Sequence, residues 1–291
     1  MSSDLAGTGV ALVTPFKEDL SIDFPALARL LEHVTNGGVD YLVVSGTTGE
    51  SATLSLSEKK ELLEYVLEFN KKRLPIIYGI GGNHTQECIE VIKETQFEGV
   101  SAILSVSPYY NKPSQEGIIK HYETIAENSP IPVILYNVPG RTASNLSWET
   151  TTLLSKHPNI IGIKEASGDL EQCMRIKSHV SEDFLLISGD DMLTGPLLSL
   201  GGIGIISVLA NAFPDMFNSM MKAKQNNNYK EMYEEIFRLL EINPYMYVEG
   251  NPVGIKEVLN QKDVCSGEVR LPLISASDTL KKAISTALGK I

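Results

Sequence analysis

The chain has 291 residues, 43% hydrophobic and 21% charged, enough to bury roughly 75% of the surface that the unfolded form exposes without disulfide or metal staples. Its formal charge of -11 repels nucleic acid and anionic membranes, so neither is expected as a partner, and an anionic substrate would need local cations. No apolar run approaches the ~20 residues of a membrane span, the first ten residues carry acid where a signal peptide carries base, and the three scattered cysteines, Cys88, Cys173 and Cys265, suit a reducing compartment, so a cytoplasmic location is expected.

Short runs rich in Val, Ile and Leu recur about every 25 to 30 residues, each followed by a helical pattern. The first reads as a strand at Gly9–Val13, with Asp23 ahead of Pro25 marking the next helix start. Tyr41–Val44 follows, with Ser57 before Glu58 as its helix boundary. Further strands are expected at Pro75–Gly79, Ala102–Ser105, Pro132–Tyr136, Ile160–Lys164, Phe184–Ser188 and Gly204–Ser207, with Ser147 capping a helix at Trp148. The runs show little apolar/polar alternation, as parallel strands buried on both faces require. Eight such strands with single helices between them predict an α/β fold, a (β/α)8 barrel over residues 1–224. The alternation then stops. Pro214–Gln225, Asn228–Glu241, Val253–Asn260 and Ser277–Leu288 read as helices, and residues 225–291 are expected to form a C-terminal helical extension packed on the barrel, since no Pro/Gly/Ser linker precedes them.

Barrel enzymes place their chemistry at the C-terminal ends of the strands. Those ends read SGTTGES, SVSPYYNKP, LYNVPGRT, IGIKEAS and ISGDD, and they deliver Thr47, Thr48, Tyr109, Tyr110, Tyr136, Arg141 and Lys164 to one face. Lys164 closes the apolar run Ile160–Ile163, where loss of water favours the neutral amine that attacks a ketone. The competing reading is a strand-end lysine that snorkels to solvent. Tyr136 ends the preceding strand, either to carry protons beside Lys164 or to cap the core. Thr47 and Thr48 sit in a glycine-flanked turn able to hold a carboxylate, although turns of this composition are common. The fork of Arg141 suits a carboxylate, and a surface arginine is the alternative.

The histidines, His33, His84, His121, His157 and His179, show no zinc spacing, so no metal is expected and an aldol reaction would use a lysine. Asp190 and Asp191 follow strand seven, where many barrels bind phosphate, and paired carboxylates favour a non-phosphorylated substrate. GGIGIIS lacks the P-loop lysine and the GxGxxG spacing, and reads as a strand with close backbone approach.

Taken in order and spacing, SGTTGES, SPYYNKPSQEG, YNVPGRT, GIKEASGD, SGDD and GIISV closely resemble the dihydrodipicolinate synthase family, within the pyruvate-dependent class I aldolases that also include N-acetylneuraminate lyase. The resemblance spans nearly the whole chain. It implies a lyase with no cofactor that condenses pyruvate, held as a Schiff base on Lys164, with L-aspartate 4-semialdehyde in diaminopimelate and lysine biosynthesis. It further implies that Tyr136, Thr47 and Tyr110 form a proton relay, that Thr48 binds the pyruvate carboxylate, and that Arg141 binds the second carboxylate. Gly189 and Ile206 would shape the pocket through their backbones. In this family the tyrosine matching Tyr110 comes from a neighbouring subunit, which implies a homotetramer built as a dimer of dimers. Ser51, Ala52, Asn83, Glu87 and Tyr109 match the family's allosteric lysine site, yet Leu56 and Lys59 stand where lysine-inhibited members often carry histidine. Weak or absent inhibition by L-lysine is therefore expected.

Two other readings compete. A sister aldolase acting on N-acetylneuraminate or a keto-deoxy sugar acid would need neutral partners for a sugar chain rather than one carboxylate clamp at Arg141. A non-catalytic binding barrel would have little use for all the reactive side chains together.

Overall fold

The computed structural model describes residues 2–291. Among them, eight parallel strands follow one another around a closed barrel in chain order. These are β1 (Gly7–Ala11), β2 (Tyr41–Val44), β3 (Ile76–Gly79), β4 (Ala102–Val106), β5 (Val133–Asn137), β6 (Ile160–Glu165), β7 (Leu185–Ser188) and β8 (Gly204–Ser207). The helices up to β8 are α1 (Phe24–Asn36), α2 (Leu56–Asn70), α3 (Thr85–Glu94), α4 (Gln115–Asn128), α5 (Pro139–Thr142), α6 (Trp148–Leu154), α7 (Leu170–His179) and α8 (Thr194–Ser199). After β8 come α9 (Pro214–Gln225), α10 (Tyr229–Leu239), α11 (Val253–Gln261) and α12 (Asp278–Leu288). No described helix is long and apolar enough to cross a membrane.

The expected strands all form, most within a residue of the reading from sequence. The first departs furthest, beginning at Gly7 and ending at Ala11 rather than Val13. Its ladder stops because the Val13 N–H donates to Oδ1 of Asn211 (3.1 Å), while the Asn211 amide donates to the Ala11 carbonyl (2.8 Å). A side chain far along the sequence thus ends this strand. Helix α2 starts earlier than Ser57: Ser55 is the cap, accepting from Glu58 N–H (3.2 Å), while the Glu58 carboxylate accepts from Ser55 N–H (2.9 Å). This reciprocal box needs a three-residue spacing, which Ser55 has and Ser57 lacks. Asp23, Ser147 and Ser277 cap α1, α6 and α12.

By packing, the chain divides into two compact units. One contains Pro75–Ile206 with the N-terminal residues to Ala6. Its strands β3 to β8 are almost wholly buried, and β5 pairs with β6 so that Tyr136 faces Lys164 and Asn137 faces Glu165. Successive residues of a strand point to opposite faces, so Tyr136 and Lys164 share one face while Asn137 and Glu165 share the other. The second unit contains Gly7–Leu74 and Ser207–Ile291, so the C-terminal helices are built together with the first two βα repeats. Its seam is polar: Arg29 donates to the Val264 carbonyl, and Arg270 grips both oxygens of Glu58 and the carbonyls of Leu20 and Thr53. The Arg270 guanidinium pulls the Glu58 carboxyl down to about 2.

All three cysteines are buried and free. Burial pushes the Cys88 and Cys265 thiols up to about 11 and Cys173 up to about 12, which keeps them protonated and unreactive.

Candidate active site

Lys164 and Tyr136 meet within the first unit because β5 and β6 are in register there. Both are buried, Lys164 at 6% exposure and Tyr136 at 7%. The Lys164 ammonium nitrogen lies 4.4 Å from the centroid of the Tyr136 ring, and among the described residues it makes no ion pair. The snorkelling reading of Lys164 is therefore not what the structure shows. Burying a charge without a counter-charge costs several kcal/mol, which makes this lysine the candidate for a chemical role.

Gly189, at the end of β7, is the close neighbour of this lysine. A Cβ there would stand 3.0 Å from Cε of Lys164 and 2.6 Å from Cβ of Ala166. Its N–H donates to the Glu165 carbonyl (2.8 Å). A side chain there would collide first with Ala166 and would press on the end of the lysine chain. Ile206 is buried in β8.

On the opposite face of β5 and β6 lies a polar network that sequence reading missed. Glu165 is buried and accepts from Asn137 Nδ2 (3.0 Å), Gln172 Nε2 (2.9 Å) and Ser167 N–H (2.7 Å). Burial pushes its carboxyl up, against the pull of these donors. Asn137 also accepts from Leu146 N–H (3.0 Å) and donates to Asn145 (2.8 Å), and Asn145 donates to Gln172 (2.7 Å). The network ties the ends of β5 and β6 to the segment that follows α5. Arg141 precedes that segment, exposed on the short helix α5 itself. The only signal in the sequence was the placing of Asn137 and Glu165 one residue past Tyr136 and Lys164.

Tyr110 does not join the buried pair by its own surface. It is 87% exposed and held at φ 71, a left-handed conformation that is uncommon for a bulky residue. Tyr109 is 42% exposed, and its carbonyl accepts from Asn83 Nδ2 (3.2 Å). Glu87 is exposed on α3 with His84 3.7 Å away. Asp190 follows β7. Its Oδ1 accepts from Met192 and Leu193 N–H (2.9 and 3.1 Å), so it occupies the turn's own donors, and its role there is to build the turn.

In the second unit, Thr47 and Thr48 lie in a turn between two non-glycine residues with positive φ, Ser45 (56°) and Glu50 (54°). Such conformations cost about 1–3 kcal/mol each and persist only where the surroundings enforce them. Here Gly49 N–H donates to the Gly46 carbonyl (3.1 Å), Glu50 N–H to the Thr47 carbonyl (3.1 Å), and the Thr14 hydroxyl to the Gly49 carbonyl (2.7 Å). Thr48 is buried, and its hydroxyl accepts from Asn251 Nδ2 (3.0 Å). Glu50 is buried against Lys256 (2.5 Å). Ser51 and Ala52 continue into a short 3-10 turn, Ser51–Thr53. Neither Asn251 nor Lys256 was read from the sequence as part of a site, although a lysine within the apolar run Val253–Leu259 was a signal for a buried charge.

The model of the family described as Dihydrodipicolinate synthetase family matches residues 4–291. A 4-hydroxy-tetrahydrodipicolinate synthase of Cytophaga hutchinsonii is 53% identical over 285 residues, 98% of this chain and 96% of that protein. The crystal structure of DHDPS from Cyanidioschyzon merolae with lysine bound is 38% identical, with a TM-score of 0.95 over 99% of this chain and 98% of that one. The chloride-inhibited dihydrodipicolinate synthase of Acinetobacter baumannii complexed with pyruvate is 35% identical, with a TM-score of 0.95 over 98% of each chain.

Proposed function

The chain belongs to the dihydrodipicolinate synthetase family, and from that premise we propose that Lys164 forms an imine with pyruvate and that the derived enamine adds to L-aspartate 4-semialdehyde. The activity is that of a Schiff-base lyase of the 4-hydroxy-tetrahydrodipicolinate synthase type, acting in lysine and diaminopimelate biosynthesis. The observation that carries the residue assignment is the buried Lys164, unpaired with any described carboxylate and set against Tyr136.

The Lys164 amine adds to the ketone carbon of pyruvate, and water leaves to give the imine. The imine withdraws electrons from the methyl group, which loses a proton to form the enamine. The enamine carbon attacks the aldehyde carbon, and the aldehyde oxygen takes a proton. Attack by the acceptor's amine on the imine carbon then closes the ring and expels Lys164 as the free amine. Tyr136, Thr47 and Tyr110 pass the protons. Thr48 holds the pyruvate carboxylate, and Arg141 holds that of the semialdehyde. Gly189 and Ile206 shape the pocket with backbone groups. The exposure and left-handed backbone of Tyr110 support the reading that this side chain serves a neighbouring subunit of a homotetramer, a dimer of dimers. The acidic surface and three buried thiols support a cytoplasmic location.

With pyruvate saturating, L-aspartate 4-semialdehyde will be turned over and sugar aldehydes will not. Comparable rates with a sugar aldehyde would assign the protein to the sister aldolases instead. Ser51, Ala52, Asn83, Glu87 and Tyr109 match the family's lysine site, while Leu56, 57% exposed, stands where lysine-inhibited members often carry histidine. A dose-response assay will therefore show weak or no inhibition by L-lysine, and strong inhibition at low lysine would refute this.

A further inference from the structure

The C-terminal part of the second unit reaches the threonine turn at two separate points. Asn251, 8% exposed, donates from Nδ2 to the Thr48 hydroxyl. Five residues on, Lys256 meets Glu50, the last residue of the turn, while Lys256 also donates to the Glu268 carbonyl (2.8 Å). The backbone N–H of Arg270 takes the other Glu50 oxygen (3.0 Å). Lys256 and Arg270 both lie against the Phe16 ring, at 4.1 and 4.4 Å from its centroid. The turn is thus fixed at Glu50 by a buried ion pair and at Thr48 by an amide.

The direction of the Asn251 bond matters. A threonine hydroxyl has one proton and two acceptor sites. With Asn251 donating to the oxygen, the hydroxyl keeps its own proton for another acceptor. The asparagine does not gain by this arrangement, because its Oδ1 is buried with no partner among the described residues. Turning the amide round would satisfy that oxygen by taking the Thr48 proton, and would leave the NH2 group unpartnered instead. Buried polar atoms without partners are uncommon and call for an explanation. Orientation of Thr48 supplies one.

We infer that Asn251 is a positioning residue for pyruvate, holding the Thr48 hydroxyl so that its proton is presented to the substrate carboxylate. The inference rests on the reading of Thr48 as the carboxylate donor. It assigns the C-terminal segment a part in substrate recognition as well as in stability.

Steady-state kinetics on Asn251→Ala, Thr48→Ala and the double variant test it, with Asn251→Asp as a near-isosteric second probe whose carboxylate can only accept the threonine proton. Thermal melts establish that each variant is folded. The KM for pyruvate is expected to rise about tenfold in Asn251→Ala, the worth of one well-aligned hydrogen bond, and further in Asn251→Asp. The kcat and the KM for L-aspartate 4-semialdehyde should stay within about twofold, as loss of uniform substrate binding predicts. In the Thr48→Ala background, Asn251→Ala should add nothing. An unchanged pyruvate KM in the folded Asn251 variants, with Thr48→Ala impaired, would overturn the role of Asn251 and leave the function standing. A rise of equal size with and without Thr48, or a fall in kcat alone, would also overturn it. If Thr48→Ala itself binds pyruvate normally, the Thr48 assignment fails and this inference fails with it.

Discussion

Lys164→Ala will leave a folded protein whose turnover is lower by about 10⁴-fold or more, the scale expected when the only nucleophile is removed. Borohydride reduction in the presence of pyruvate will add a stable adduct to the parent protein, located by peptide mass spectrometry at Lys164 and missing from the variant. Lys164→Arg is the sharper control, because it keeps the positive charge against Tyr136 but cannot form an imine. It should be as inactive as the alanine variant. The expectation stands on geometry: the amine is 6% exposed, lies 4.4 Å from the Tyr136 ring centroid, and has its chain closely approached by Gly189. An adduct on a different lysine, or substantial turnover by either variant, would sink the assignment.

Lys256→Met will destabilise the fold by about 3–5 kcal/mol, because it removes one partner of a buried ion pair and strands the other. For a chain of this size that corresponds to a melting temperature lower by roughly 10 °C. The pair itself adds little net stability. Burial pushes the Lys256 ammonium down from the ordinary lysine range more strongly than Glu50 draws it up, which is the signature of a desolvation cost only partly offset by attraction. The damage should therefore lie in the unpaired Glu50, and a second change that neutralises it, Glu50→Gln, should restore much of the lost stability while still accepting the Arg270 N–H. A single variant that melts within about 2 °C of the parent, or a double variant no more stable than the single one, would show that the pair does not act this way. The contrast with Lys164 is informative: of these two buried lysines, one has a carboxylate and serves the structure, and the other has none and is available for chemistry.

The barrel was legible because each parallel strand is a short apolar run with little alternation, and several helices are announced by a capping residue. Asp23 and Ser147 act as the local pattern predicts. Where the reading slipped, a longer-range or finer rule applied. Ser55 rather than Ser57 caps α2 because the cap needs its glutamate partner three residues on. β1 stops at Ala11 because Asn211 takes the next backbone groups.

The candidate site divides in the same way. Residue types at strand ends single out Lys164, Tyr136, Thr47, Thr48 and Arg141 before any coordinates, since an amine, a phenol, a hydroxyl turn and a guanidinium are the groups that an imine aldolase needs. The sequence by itself therefore determined the strand order, which follows from local pattern, while the family and the proposed reactive groups came from the resemblance of its strand-end motifs. Tertiary structure alone decided that Lys164 has no counter-charge among the described residues, that Glu165 and Asn137 join in a polar network on the far face of β5 and β6, and that Asn251 and Lys256 hold the threonine turn from about two hundred positions away. Hydrogen bonds and burial between distant segments depend on which surfaces the closed packing brings together, and no local pattern in the chain encodes that.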